Sequence, residues 1–177
     1  MSIISFGYNI EGKNYKVLDE RALRASAGIM LFLGVIASIN AFILQKYIVV
    51  PYISGFLMIN FIIGIFINPK FAPTLLLGRL IVSKQSKLYI GAIQKKFAWS
   101  LGLILSIVIF SLSLYLINDA SYFDPVCLLC ILCIFLLYVE TAFGICLGCK
   151  LYDLAIWLKL MKKPVEKPNC MGDSCDT

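Results

Sequence analysis

The chain of 177 residues contains no histidine, and only 15% of its residues are charged. Without histidine there is no imidazole to ligate zinc or haem, and no side chain whose ordinary pKa lies near neutrality for acid–base work. The scarcity of charge excludes a soluble globule, which is ordinarily about 25% charged and 45–50% apolar. Here 60% of the residues are hydrophobic and the mean hydropathy is +0.90. A chain this short could not bury that much apolar surface in a single water-soluble core. The same excess rules out a disordered chain and a secreted disulfide-stapled miniprotein.

What is present instead are stretches long enough to cross a bilayer, which takes about 20 mostly apolar residues. Residues 25–45, 47–69 and 97–118 carry no charge, and a fourth stretch, 122–149, has Asp124 at its start and Glu140 inside. The expected fold class is therefore an all-α membrane protein with four transmembrane helices. Residues 1–24 lack the apolar core and cleavage site of a signal peptide, so the first span is expected to be retained. Only Lys46 separates spans one and two, and Pro51 falls in the first turn of the second, where its missing N–H costs little. That pair reads as a tight helical hairpin.

Orientation follows from where the sixteen Lys and Arg lie. Four precede span one, six fall between spans two and three, five follow span four, and Lys46 alone lies on the other side. The turn after span three carries Asp119 and Asp124 and no basic residue. By the positive-inside rule both termini and the central loop are cytoplasmic. The net charge of +6 then has its explanation in topology and in an anionic lipid bilayer as partner. Nucleic acid is not expected, because no basic segment is interleaved with stacking aromatics.

The connecting segments carry their own signals. Gly7, Gly12 and Asn14 suggest a small hairpin or irregular cap before Asp19, a natural N-cap for the first helix. Asn68 and Pro69 stop span two, and Pro73 can open a short interfacial helix holding Leu75, Leu76, Arg79 and Leu80. After Cys149, Leu151, Leu154, Ala155 and Leu158 recur at helical spacing beside Trp157, Lys159, Lys162 and Lys163. This predicts a second amphipathic helix on the inner leaflet, ended by Pro164 and Pro168. The expected organisation is one membrane domain over residues 1–163 and a flexible Cys-containing cytoplasmic tail over 164–177.

With histidine absent, chemistry falls to seven cysteines and one intramembrane carboxylate. Cys127, Cys130 and Cys133 recur at i+3 near the outer end of span four, forming a stripe that drifts about 60° per step. They are accessory thiols or simply small apolar residues. Cys146 and Cys149 form a C-x-x-C at the inner end of the same stretch, and Cys170 and Cys175 lie in the tail. If the chain restarts as a helix near Cys149, one thiol meets a helix N-terminus and Lys150, both of which favour the thiolate. Cys146 and Cys149 are thus the expected reactive pair. No cofactor is the simpler expectation. Cys146, Cys149, Cys170 and Cys175 together could still offer four thiolates to zinc or an iron–sulfur cluster, although the C-x4-C of the second pair does not fit a zinc knuckle. Glu140 reads either as a structural partner of Arg24, Arg79, Asn60 or Asn68, or as a proton donor or acceptor for the thiols.

Several phrases taken in order, Val17 to Arg21, Arg24 to Gly28, Asn68 to Pro73 with Leu77 to Arg79, Gln94 to Trp99 and Glu140 to Tyr152, resemble a bacterial membrane-protein family. It is catalogued as domain of unknown function 4395, and the resemblance covers nearly the whole chain. It implies the inner (cytoplasmic) membrane and a C-x-x-C at the end of the last span. Relatives that stand beside or are fused to thioredoxin-like domains favour thiol redox or sulfur transfer, with a thioredoxin-like or sulfurtransferase partner. Cys127 and Cys130 at the outer start of span four are similar in layout to quinone-linked disulfide-forming enzymes of the vitamin K epoxide reductase type. Those enzymes use a further cysteine pair in an outer loop, and neither outer turn here contains a cysteine.

The functional expectation is thiol–disulfide exchange or a persulfide relay through a cytoplasm-facing C-x-x-C. The alternative is a non-enzymatic anchor, scaffold or transport subunit with packing cysteines. In it Gly28 and Gly34 of span one and Ser100, Ser106, Ser111 and Ser113 of span three serve close helix contacts or a homo-oligomer.

Overall fold

A computed structural model describes residues 6–9 and 15–159. Within these, four helices are long and apolar enough to cross a membrane: Glu20–Phe42, Val49–Ile67, Ala92–Leu116 and Ala120–Phe143. The first is α1 (Glu20–Phe42), begun where Asp19 accepts a hydrogen bond from the Arg21 N–H at 3.2 Å, as its N-capping chemistry predicts. The second is α2 (Val49–Ile62), prolonged by a π-helical turn over Ile63–Ile67 and stopped at Asn68. Asn68 there caps a short 3-10 turn, Pro69–Phe71, by accepting from the Lys70 N–H at 3.0 Å. Pro73 opens α3 (Pro73–Ile81), followed by α4 (Ala92–Leu116), α5 (Phe123–Phe143) and α6 (Leu147–Trp157).

Two three-residue strands join this helical architecture. β1 (Val17–Asp19) pairs antiparallel with β2 (Tyr89–Gly91) in the register Val17 with Gly91, Leu18 with Ile90 and Asp19 with Tyr89. The ribbon ties the segment leading into α1 to the segment leading into α4, with Asp19 opposite Tyr89 and Gly91 opposite Val17. Whatever lies one turn into α4 is thereby held at this end of the bundle.

α1 packs between α3 and α5, and α2 packs against α4. At the far end, Phe123 meets Phe42 and Tyr47 edge to face and closes the α1–α2 turn over the start of α5. Gly28 and Gly34, read as small-residue contact points, face Thr141 and Ile134 of α5. Ser106 and Ser113 are buried with their hydroxyls donating to carbonyls of their own helix. These small residues serve packing within the chain.

Where α3 crosses α1, the backbones meet at Gly78, whose place would bring a Cβ within 2.6 Å of the Ala22 carbonyl. A buried polar network stitches the crossing. Asn60 Oδ1 accepts from the Thr74 N–H and hydroxyl, both at 3.0 Å, and the Thr74 hydroxyl also meets the Ser26 hydroxyl at 2.8 Å. Asn60, Thr74 and Ser26 are all fully buried. Asn60→Leu should leave the Thr74 N–H without its acceptor, an expected cost of about 1–3 kcal/mol. Thermal unfolding in detergent should show a lowered midpoint for Asn60→Leu; equal stability of Asn60→Leu and the native chain would refute this role.

Candidate functional site

Span four ends earlier than its hydropathy suggests. Gly144 adopts the left-handed conformation (φ +67°) after Phe143, and the Arg24 guanidinium packs against the face where a side chain would stand. Only glycine takes that backbone shape freely while admitting the cation so closely. The chain then turns at Ile145 and restarts, with Cys146 as the N-cap of α6. Cys146 and Cys149 therefore belong to the first turn of a separate helix and not to the end of the fourth span.

Three contacts seat α6 on α4. Gln94 Nε2 donates to Asp153 Oδ1 at 3.3 Å, the rings of Phe97 and Tyr152 lie 5.6 Å apart, and Gly148 rests against Ala98. A Cβ at Gly148 would fall 2.6 Å from Ala98 Cβ and 2.8 Å from Ala98 Cα. Gly148→Ala should push the helix start away from α4 at an overpacking cost of about 1–3 kcal/mol. The measurable result is a lower unfolding midpoint together with slower alkylation of Cys146 at neutral pH; a variant unchanged in both would show that this contact does not set the site.

Lys95 is the residue around which the site is built. It stands one turn into α4, and its place on the buried stripe Ala92, Lys95, Trp99, Ser106 and Ile109 leaves it only 1% exposed. Its ammonium pairs with the Glu140 carboxylate of α5 and lies 3.8 Å from the Cys146 sulfur of α6. The partners weighed for Glu140 from sequence are engaged elsewhere: Arg24 with Glu20, Arg79 with the Tyr8 hydroxyl, Asn60 with Thr74 and Asn68 with Lys70. In sequence Lys95 reads with Lys96 as loop charge, although the spacing to Trp99 and Ser106 places it on the inward face.

The two thiols of the pair are unequal. Cys146 Sγ accepts the S–H of Cys149 across 2.6 Å and the backbone N–H of Cys149 at 3.4 Å. Donation by the Cys149 thiol is the largest influence on Cys146. Burial opposes it, Lys95 reinforces it, Glu140 works against it, and the backbone N–H adds to it, so the Cys146 thiol is pulled down to about 7. The same hydrogen bond, with burial, pushes Cys149 up. The cation at the sulfur is thus Lys95, whereas Lys150 on α6 contributes a backbone N–H to the Cys146 carbonyl at 3.1 Å. Such an arrangement can hold one thiolate beside one protonated thiol within bonding reach.

The remaining cysteines are distributed as follows. On α5, Cys127 is buried, and the half-buried Cys130 and Cys133 pack against the cluster around Ile109, Leu116 and Val126. Cys130 and Cys133 also share a cavity of about 520 Å³ with Glu140 and Cys146. Cys170 and Cys175 lie outside the described residues, so the four-thiolate arrangement does too. Among the described residues, no group of three or more Cys, Asp or Glu side chains converges as a metal site would require.

No curated protein and no solved structure matches the chain. A model of the family described as a domain of unknown function (DUF4395) matches residues 18–156, which include β1 from its second residue on, β2, all four long apolar helices and the pair Cys146 and Cys149. The chain belongs to that family.

Proposed function

We propose that this is a bacterial inner-membrane protein, with both termini and the α6 end cytoplasmic, whose Cys146 and Cys149 work as a dithiol–disulfide couple. The observation that carries the reading is the convergence on one sulfur, Cys146 Sγ, of the Cys149 S–H, the Cys149 N–H and the Lys95 ammonium. The orientation is supported by the one-sided distribution of Lys and Arg. The exposed Leu76, Leu77 and Leu80 of α3 and Leu151, Leu154 and Trp157 of α6 suit helices lying at that interface.

In the minimal reaction the Cys146 thiolate attacks a disulfide, forming a mixed disulfide and releasing one thiolate, which takes up a proton. Cys149 then loses its proton, attacks Cys146 Sγ and releases the second thiolate. Two protein thiols are oxidised to one disulfide as one substrate disulfide is reduced to two thiols. With a sulfane sulfur donor the same pair first forms a Cys146 persulfide, and attack by Cys149 on Cys146 Sγ then expels hydrosulfide.

The test is alkylation by iodoacetamide followed against pH in the purified full-length protein, read by mass spectrometry at each cysteine. Cys146 should alkylate with a midpoint near 7, against about 8.5 for an ordinary thiol. A Cys146 midpoint at or above the ordinary value would refute the reading and leave the pair as packing residues.

A further inference from the structure

Cys146 is 4% exposed, Cys149 6% and Lys95 1%. Both sulfurs and the ammonium thus lie beneath the protein surface. Cys146 does, however, line the cavity of about 520 Å³ that runs up the bundle interior past Glu140 and Trp99 to Cys133 and Cys130. Its walls include Leu105 of α4 and Leu136 of α5, and also the outward-facing Ile104 and Leu132. The cavity therefore has an open side between α4 and α5, on a flank that in a bilayer meets hydrocarbon, and a second at the exposed Leu151 of α6. Its volume lies in the range of sites for small organic ligands, about 300–1,000 Å³.

We infer that the cavity admits a hydrocarbon-soluble two-electron acceptor of the quinone class, which oxidises the dithiol of Cys146 and Cys149. The inference rests on the dithiol reading above and names its oxidant. Formation of the disulfide releases two electrons and two protons, so an acceptor arriving through lipid must take up both without shedding a polar leaving group. Quinones meet that requirement. The Cys146 thiolate adds to a ring carbon, forming a C–S bond and moving an electron pair onto a ring oxygen. Cys149 then attacks Cys146 Sγ, the S–S bond forms, and the C–S pair returns to the ring. The two thiol protons end on the two ring oxygens, so dithiol plus quinone gives disulfide plus hydroquinone. Glu140, held by Lys95, is the carboxylate at this end of the cavity.

The experiment uses the reduced full-length protein in lipid nanodiscs under anaerobic conditions, mixed with decyl-ubiquinone or with a water-confined sulfonated quinone of similar potential. Decyl-ubiquinone should be reduced one for one with formation of the Cys146–Cys149 disulfide, at least roughly tenfold faster than the sulfonated compound. Leu105→Trp and Leu136→Trp, which fill the cavity, should each slow that reaction by about tenfold or more. Equal rates for the two quinones, or native rates in both filled variants, would overturn the cavity as the route. Hydrogen peroxide is the control. If it yields the Cys146–Cys149 disulfide and decyl-ubiquinone does not, the quinone inference falls and the dithiol reading stands. If neither oxidant yields that disulfide, both fall.

Discussion

Lys95→Met should move the alkylation midpoint of Cys146 upward by about one unit or more, a change worth about 1.4 kcal/mol per unit in thiolate stability. In the native chain that midpoint is expected near 7. The Cys149 S–H remains in the variant, but burial then opposes ionisation without the ammonium that offsets it, and the Glu140 carboxylate is left beside the sulfur with its partner gone. At neutral pH the expected consequence is a fall in Cys146 alkylation rate of roughly tenfold.

Folding should suffer as well. Removing one member of a buried ion pair strands the other, at a cost of roughly 3–5 kcal/mol, whereas removing both is often close to neutral. Lys95→Met with Glu140→Leu should therefore recover much of the unfolding midpoint lost in Lys95→Met alone, while Cys146 still titrates high. Those two readouts separate the roles of the pair. If Lys95→Met alone leaves the native alkylation midpoint, Lys95 does not act on the sulfur; if the double variant fails to restore stability, the pair is not what holds α4 to α5 at this level.

Why this site was only half legible in the sequence comes down to which forces each part depends on. The four long apolar helices follow from uncharged runs, because hydrocarbon penalises charge so strongly that hydropathy nearly decides the matter. Asp19, Pro51, Asn68 and Pro73 were legible too, since capping and proline chemistry act within a turn of the residue itself. The β1–β2 ribbon was not, because it joins segments some seventy residues apart through three residues each, too few to show alternation. The end of α5 at Phe143 was missed because Gly144 reads equally as a weak point within a helix or as its left-handed stop, and packing against Arg24 decides between them. By its charge Lys95 reads as part of the loop before span three, whereas its burial follows from the stripe it shares with Ala92 and Trp99. The thiol pair was found from spacing alone; the inequality of its two members required the cap geometry of α6.

That inequality leads to the largest expected difference between two single substitutions. In Cys146→Ser the surviving thiol is Cys149, which burial holds in its protonated form, and α6 offers it no N–H of its own first turn. At neutral pH it should alkylate about a hundredfold more slowly than Cys146 in the native chain, since each unit of pKa above the working pH costs about tenfold in thiolate. Cys149→Ser should behave in the opposite way. A serine hydroxyl still donates to Cys146 Sγ, the backbone N–H and Lys95 remain, and so the Cys146 midpoint should stay below the ordinary thiol value. Lacking the second thiol, this variant should accumulate any mixed disulfide it forms, visible as a mass adduct on Cys146 that dithiothreitol removes. Cys149→Ala tests the cause directly, because methyl cannot donate, and its Cys146 midpoint should rise above that of Cys149→Ser. Should Cys146→Ser and Cys149→Ser alkylate at equal rates, or Cys149→Ala and Cys149→Ser titrate alike, the Cys149 S–H would not be what stabilises the Cys146 thiolate. The stabilisation would then fall to the Lys95 ammonium and the Cys149 backbone N–H.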